Sequence, residues 1–191
     1  MTRNDRRVHI NTMDRPVDPD QPRFTLPELL LIAPHGLSER TLQSWIERGH
    51  LELKQRKVGR GKVRLYTFCE VLQASALFFL TLDGRPPHLA KAIAAKLAER
   101  ARAKYSAGKN YQADSLDEEE AFLLLVYNQH FDERTGESTI RFRAVKAKDF
   151  RYPQVMQAFG TYDFGCFMQD EFIARVALAV DENCPAKSMA H

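Results

Sequence analysis

The chain has 191 residues, 44% of them hydrophobic, and a formal net charge of +3, a composition that supports a real globular core in one domain or two small ones. Cys69, Cys166 and Cys184 are too far apart for a zinc pair and odd in number for a disulfide framework, so they read as reduced thiols. The longest apolar tract, Val71 to Leu82, is too short for a bilayer, and Met1 to Arg23 has no apolar signal core, so a cytoplasmic protein with no membrane partner is expected.

Residues 1–23 are polar and proline-rich and are expected to be a disordered arm. Thr25-Leu-Pro-Glu28 is a capping box that predicts a first helix to about Ile32, ended by Pro34-His35-Gly36. Ser38 caps a second helix, with Leu42, Trp45 and Ile46 on its core side and Arg40, Gln43, Ser44 and Glu47 facing outward, closed by Gly49. Around Gly59-Arg60-Gly61, Leu53 and Lys54–Val58 are expected to pair with Lys62–Tyr66, Val63 and Leu65 forming the half-buried face of a hairpin. Thr67-x-x-Glu70 is a second capping box, opening a mostly buried helix to about Leu82, and a fourth helix is predicted from about His88 to Tyr105. Ala121–Tyr127 and Thr139–Val145 read as a hairpin, followed by an aromatic loop through Tyr152, Phe159, Tyr162 and Phe164. An amphipathic helix near Phe167–Val180 comes next, and Ala186–His191 is expected to fray. The fold class is therefore mainly α with small β: an arm over 1–23, a helical domain with the basic hairpin over 24–105, a linker over 106–120 and a small α+β domain over 121–185.

Charge is unevenly placed. Residues 1–111 carry twenty lysines and arginines against eleven acidic residues, and residues 112–191 carry eight against fourteen. Between Ser38 and Tyr66 eight basic residues oppose three glutamates, as a polyanion partner would require. The outward N-terminal turns of a groove-reading helix need polar side chains: Arg40 suits guanine O6 and N7, Gln43 adenine N6 and N7. Arg48, Arg56, Lys57, Arg60, Lys62 and Arg64 suit phosphates, which position a protein without reading sequence.

The run Thr41-Leu-Gln-Ser-Trp-Ile-Glu-Arg-Gly-His-Leu51, then a basic hairpin, then Arg64-Leu-Tyr-Thr67, resembles the MerR-type winged helix-turn-helix and the related excisionase-like modules over about residues 24–82. Trp45 stands for the family's aromatic, Gly49 for its glycine, and Arg64 and Tyr66 for the end of the wing; Gln43 replaces the usual arginine and His50 the usual leucine. The resemblance implies an N-terminal winged helix-turn-helix with a recognition helix over 38–48 and a wing over 53–66. With the chemistry above, it points to Ser38, Arg40, Thr41, Gln43, Ser44, Arg48, Arg56, Lys57, Arg60, Lys62, Arg64 and Tyr66 as DNA-contacting residues.

The expected function is that of a non-enzymatic, sequence-specific transcriptional regulator, nucleoid-associated in the cytoplasm. One short helix reads few bases, so a homodimer on a pseudo-palindromic double-stranded site is expected. The aromatic-rich C-terminal segment suits a small-molecule or protein effector, or self-association. Two alternatives stand beside this reading: an excisionase-like DNA-bending factor, and an adaptor whose basic half docks an acidic protein. His35, His50, His88 and His130 are scattered, Gly59-x-Gly61 lacks a dinucleotide-loop context, and no nucleophile–base pair is recognisable, so no metal, cofactor or catalytic residue is expected.

Overall fold

Two Thr-x-x-Glu boxes and one serine set the starts of three helices. Glu28 Oε2 accepts the Thr25 N–H at 2.7 Å and its hydroxyl at 2.8 Å, opening α1 (Leu26–Ile32). Ser38 Oγ accepts the Thr41 N–H at 3.1 Å and opens α2 (Glu39–Glu47). Thr67 Oγ1 accepts the Glu70 N–H at 3.1 Å and opens α3 (Phe68–Leu82). Each cap satisfies amides that the first helical turn leaves without partners. Helix α4 (Pro87–Ser106) begins on a proline, whose missing N–H costs nothing at that position. Strands β1 (Phe122–Asp132), β2 (Glu137–Lys146) and β3 (Phe164–Met168) precede α5 (Gln169–Asn183). The computed structural model describes residues 17–33, 36–54, 63–109, 111, 122–132, 137–149 and 164–189. The architecture is mainly α with a small β-sheet, as expected.

Helix α3 is buried on nearly every side, and α4 packs along it through Ala90, Ile93, Ala94, Leu97, Ala98 and Ala101. Helix α5 turns Ile173, Val176, Ala177 and Val180 into the same core and meets α1, α3 and α4. The helical part of the segment expected to form a separate domain over 121–185 thus shares one core with the N-terminal helices. The reason is its stripe, apolar at i, i+3, i+4 and i+7, which finds its partners on α1 and α4.

The expected hairpin forms, with Phe122 opposite Lys146 and Asp132 opposite Glu137 and an irregularity between Asn128 and His130. Strand β3 adds on the other side of β1, Leu123 opposite Met168, giving the order β2-β1-β3 with both pairs antiparallel. Phe164, expected in a loop, therefore lies in a strand, and the last helix begins at Gln169 because Phe167 and Met168 are committed to the sheet. Of the expected loop, residues 150–163 lie outside the described residues. Of the expected linker over 106–120, Ser106 closes α4 and Tyr111 is fully buried with its hydroxyl on the Ala101 carbonyl at 3.1 Å, while residues 110 and 112–120, with the acidic run, lie outside the described residues.

Both ends of the chain depart from expectation. Residues 1–16 lie outside the described residues, but 17–23 are docked rather than free: the Cys69 N–H donates to the Pro19 carbonyl at 3.1 Å, and the Arg23 and Phe24 N–H groups both donate to the Tyr66 carbonyl. At the other end Pro185–Lys187 makes a 3₁₀ turn, Met189 is fully buried and Arg23 reaches its sulfur. Lys187 Nζ meets both Glu28 oxygens at 2.7 and 2.6 Å, so the tail is fastened to α1 instead of frayed.

Asp170, 2% exposed, accepts two hydrogen bonds from Arg100 at 3.0 Å and lies 3.3 Å from Lys104 Nζ. Burial lowers the Lys104 pKa while Asp170 works against that shift, so the carboxylate keeps an otherwise unfavourable charge in place. Asp170→Ala should destabilise the protein by about 3–5 kcal/mol, read by denaturant unfolding, because it strands buried positive charge. A second test concerns pH. The Lys187 ammonium holds the Glu28 carboxyl at about 2 instead of 4.5, so its contribution is fully present above pH 4.5 and is lost as pH falls through about 2. The stability difference between wild type and Lys187→Met should accordingly be constant above pH 5 and shrink toward zero near pH 2.

Candidate nucleic-acid interface

Helix α2 is amphipathic in the sense the sequence requires. Leu42 and Trp45 are buried, Ile46 is half-buried, and Glu39, Arg40, Gln43, Glu47 and Arg48 are exposed. Ser38 is exposed, but its hydroxyl is engaged in the cap and lies 2.9 Å from the Thr41 hydroxyl. Thr41 and Ser44 are half-buried at the edge of the face. Gln43 Nε2 donates to Glu47 Oε1 at 3.0 Å, an i,i+4 bond along the exposed face. Glu39 and Glu47 outnumber Arg40 within the helix, and only the C-cap Arg48 brings the segment to neutrality.

The approach and exit of α2 are fixed by two glycines in the left-handed region. Gly36 has φ +108°, and a Cβ there would stand 3.2 Å from the Phe78 ring. Gly49 has φ +71° with open space around it, so backbone conformation alone selects glycine there. Lys91 on α4 then donates to the Gly49 carbonyl at 2.8 Å and to Glu52 Oε1 at 2.9 Å, tying the end of α2 to the core.

The basic segment is gripped at its base. Glu70, 5% exposed, accepts the Thr67 N–H on Oε2 and the Lys54 N–H on Oε1, both at 2.6 Å. One carboxylate therefore closes the capping box of α3 and pins the chain where the expected wing leaves and returns. Of that wing, residues 55–62, with Arg56, Lys57, Arg60 and Lys62, lie outside the described residues. Its flanks differ from expectation. Tyr66 bridges Phe24, its N–H donating to the Phe24 carbonyl at 2.7 Å, and Val63 is 71% exposed instead of half-buried.

Two expected contact residues are turned to other uses. Tyr66 is buried in the core, where desolvation raises its phenol pKa, so it anchors the segment and is not presented to a ligand. Arg64 is half-buried and hydrogen-bonds that phenol. The described surface of the site is thus Arg40, Gln43 and Arg48, with Ser38, Thr41 and Ser44 beside them. Sequence reasoning missed Glu70's second bond, Lys91 and Asp20. Lys91 is 42 residues from Gly49 and leaves no local signal, whereas Asp18-Pro19-Asp20 carries a turn signature.

Among the described residues no three His, Cys, Asp or Glu side chains are placed to hold a metal ion, and no helix is long and apolar enough to cross a membrane. Cys69 and Cys184 are buried, and burial pushes the Cys69 thiol up to about 12. No protein-family model matches the chain, and no curated protein matches it.

Removing the pin should be read in two places. Glu70→Ala should cost about 1–3 kcal/mol, because it leaves the buried Thr67 donor unsatisfied. It should also raise amide exchange at Lys54. Thr67→Ala should cost about 1 kcal/mol through the lost cap and leave Lys54 protected.

Proposed function

We propose that the chain is a sequence-specific, double-stranded-DNA-binding transcriptional regulator of the winged helix-turn-helix type, acting as a homodimer in the nucleoid. The observation that carries this reading is the exposed polar face of α2, with Arg40 and Gln43 projecting from a helix whose opposite side is buried at Leu42 and Trp45. Beside it the chain enters and leaves a strongly basic segment from a base pinned on Glu70. A helix with an outward polar face next to a cationic segment divides the work as DNA recognition requires, with base edges read by one element and phosphates held by the other. Arg40 is the candidate guanine reader and Gln43 the candidate adenine reader, the latter exchanging Glu47 for a base. Arg48, Arg56, Lys57, Arg60 and Lys62 are the candidate phosphate contacts, with Arg64 contributing only where its bond to Tyr66 leaves a donor available.

Dimerisation follows from information content, since a single short helix specifies too few base pairs for a genome. The C-terminal segment is the place for an effector or for the dimer contact, and α5, which meets α1 directly, would transmit either to the helix-turn-helix.

Selection from a random duplex library with the full chain should yield a two-fold motif. Arg40→Ala should flatten the difference between that motif and random DNA, by about 1–3 kcal/mol for a lost bidentate base contact. Arg60→Ala should weaken both alike and lower the salt slope by about 0.9. No enrichment at low salt overturns the reading. A preference that survives Arg40→Ala but disappears with Arg60→Ala reverses the two roles.

A further inference from the structure

Two cations at the foot of the basic segment grip one residue from the start of the chain. Arg102 on α4 holds both carboxylate oxygens of Asp20, Nε to Oδ2 at 2.7 Å and Nη2 to Oδ1 at 3.0 Å. Lys54 Nζ donates to the Asp20 carbonyl oxygen at 3.1 Å. Asp20 is presented by a preformed turn, in which the Gln21 N–H donates to the Asp18 carbonyl at 3.2 Å and the Asp20 N–H to Asp18 Oδ1 at 2.9 Å. Pro19 occupies the second position of that turn, where its fixed φ is favourable. Between this strap and the base of the wing lies a cavity of about 400 Å³, lined by Lys54, Cys69, Glu70, Gln73 and Arg102 as well as Asp20.

The grip differs in kind from that on Asp170. Asp170 and Lys104 are buried, so their pairing is permanent in the folded state. The Asp20 side chain is 29% exposed and that of Arg102 45%, so water and salt reach the pair, and an exposed ion pair contributes little net stability. A planar guanidinium holding two oxygens with a lysine alongside is also the donor set that a phosphate takes. We propose that Lys54 and Arg102 form a phosphate-backbone site extending the DNA interface below the wing, with Asp20 as its internal, displaceable occupant. This rests on the DNA-binding reading and adds regulation to it. A duplex exchanges its phosphate for the Asp20 carboxylate, and the strap lifts over residues 17–22, giving up the Cys69 N–H bond to the Pro19 carbonyl as it does so. It hinges at Arg23 and Phe24, whose N–H groups stay on the Tyr66 carbonyl at 2.9 and 3.0 Å. Every duplex must displace the strap, which lowers affinity for random sequence and leaves net binding to sites that base contacts also favour.

The test uses the full chain as wild type, Asp20→Asn, and Lys54→Gln/Arg102→Gln, each checked for an unchanged far-ultraviolet spectrum. Asp20→Asn should bind random duplex about two- to fivefold more tightly, the factor an exposed ion pair supplies. The double variant should bind random duplex no more tightly than wild type and show a salt slope lower by about 0.9 for each lost phosphate. Hydrogen exchange in wild type should accelerate over residues 17–22 when duplex or heparin is added, while the Arg23 and Phe24 amides stay protected. Unchanged affinity in Asp20→Asn, or exchange over 17–22 that duplex leaves unchanged or slows, overturns the proposal. Acceleration by inorganic phosphate alone at matched ionic strength also overturns it, in favour of a free-anion site. If no variant binds any duplex but heparin still frees the strap, the DNA reading falls and the same two cations serve a different polyanion. If heparin fails as well, both fall.

Discussion

Two hydrogen bonds to one carboxylate organise the N-terminal surface. Glu70 is nearly buried, and a buried carboxylate needs acceptors filled by well-placed donors. It takes the Thr67 N–H from its own helix and the Lys54 N–H from the strand of chain that leads into the basic segment. Because charge-assisted bonds to backbone N–H groups are short and directional, the two limbs are brought to a fixed separation. The chain on either side of the basic segment is thereby fixed relative to α3, which is buried along most of its length. Helix α2 is registered to the same core by its own route, through Trp45 and the Lys91 bond to Gly49.

The charge asymmetry between the two halves has a structural use besides a polyanion partner. Arg100 and Lys104 on the basic side meet Asp170 on the acidic side, and Lys187 from the acidic side meets Glu28 on the basic one. Arg102 is spent locally on Asp20. Part of the N-terminal surplus is therefore neutralised within the fold, and the net positive charge that remains is concentrated between Lys54 and Arg64, since Glu39 and Glu47 offset Arg40 and Arg48 on and beside α2. That narrows the electrostatic case for the proposed polyanion partner to fewer residues.

The helices, their caps and the β1–β2 hairpin were legible because their signals are local: Thr25 with Glu28, Ser38, Thr67 with Glu70, and apolar residues at i, i+3 and i+4. What was not legible depends on partners distant in sequence. The five residues of β3 become a strand only because β1 offers an edge, and nothing within Phe164–Met168 says so. The docking of Pro19 on the first turn of α3 follows from an amide that needed an acceptor, fifty residues away. At the candidate site, the outward face of α2 was readable from periodicity, whereas the burial of Tyr66 and its bond from Arg64 beside the basic segment were not. An aromatic at a strand end suits a contact or an anchor equally well, and only its burial decides.

Helix α5 bears on how such a chain is able to evolve. Its stripe fills a bed made by α1, α3 and α4, and the turn after it reaches back to α1 through Lys187. The N-terminal half is consequently not a cassette that could be cut out and joined to a new sensor, since excision would lay that bed open to water. Variation in partner or signal has to enter between α4 and α5, where residues can be inserted or exchanged while both ends stay fixed. The order of the chain thus places β1–β3 between two helices, α4 and α5, that share one core.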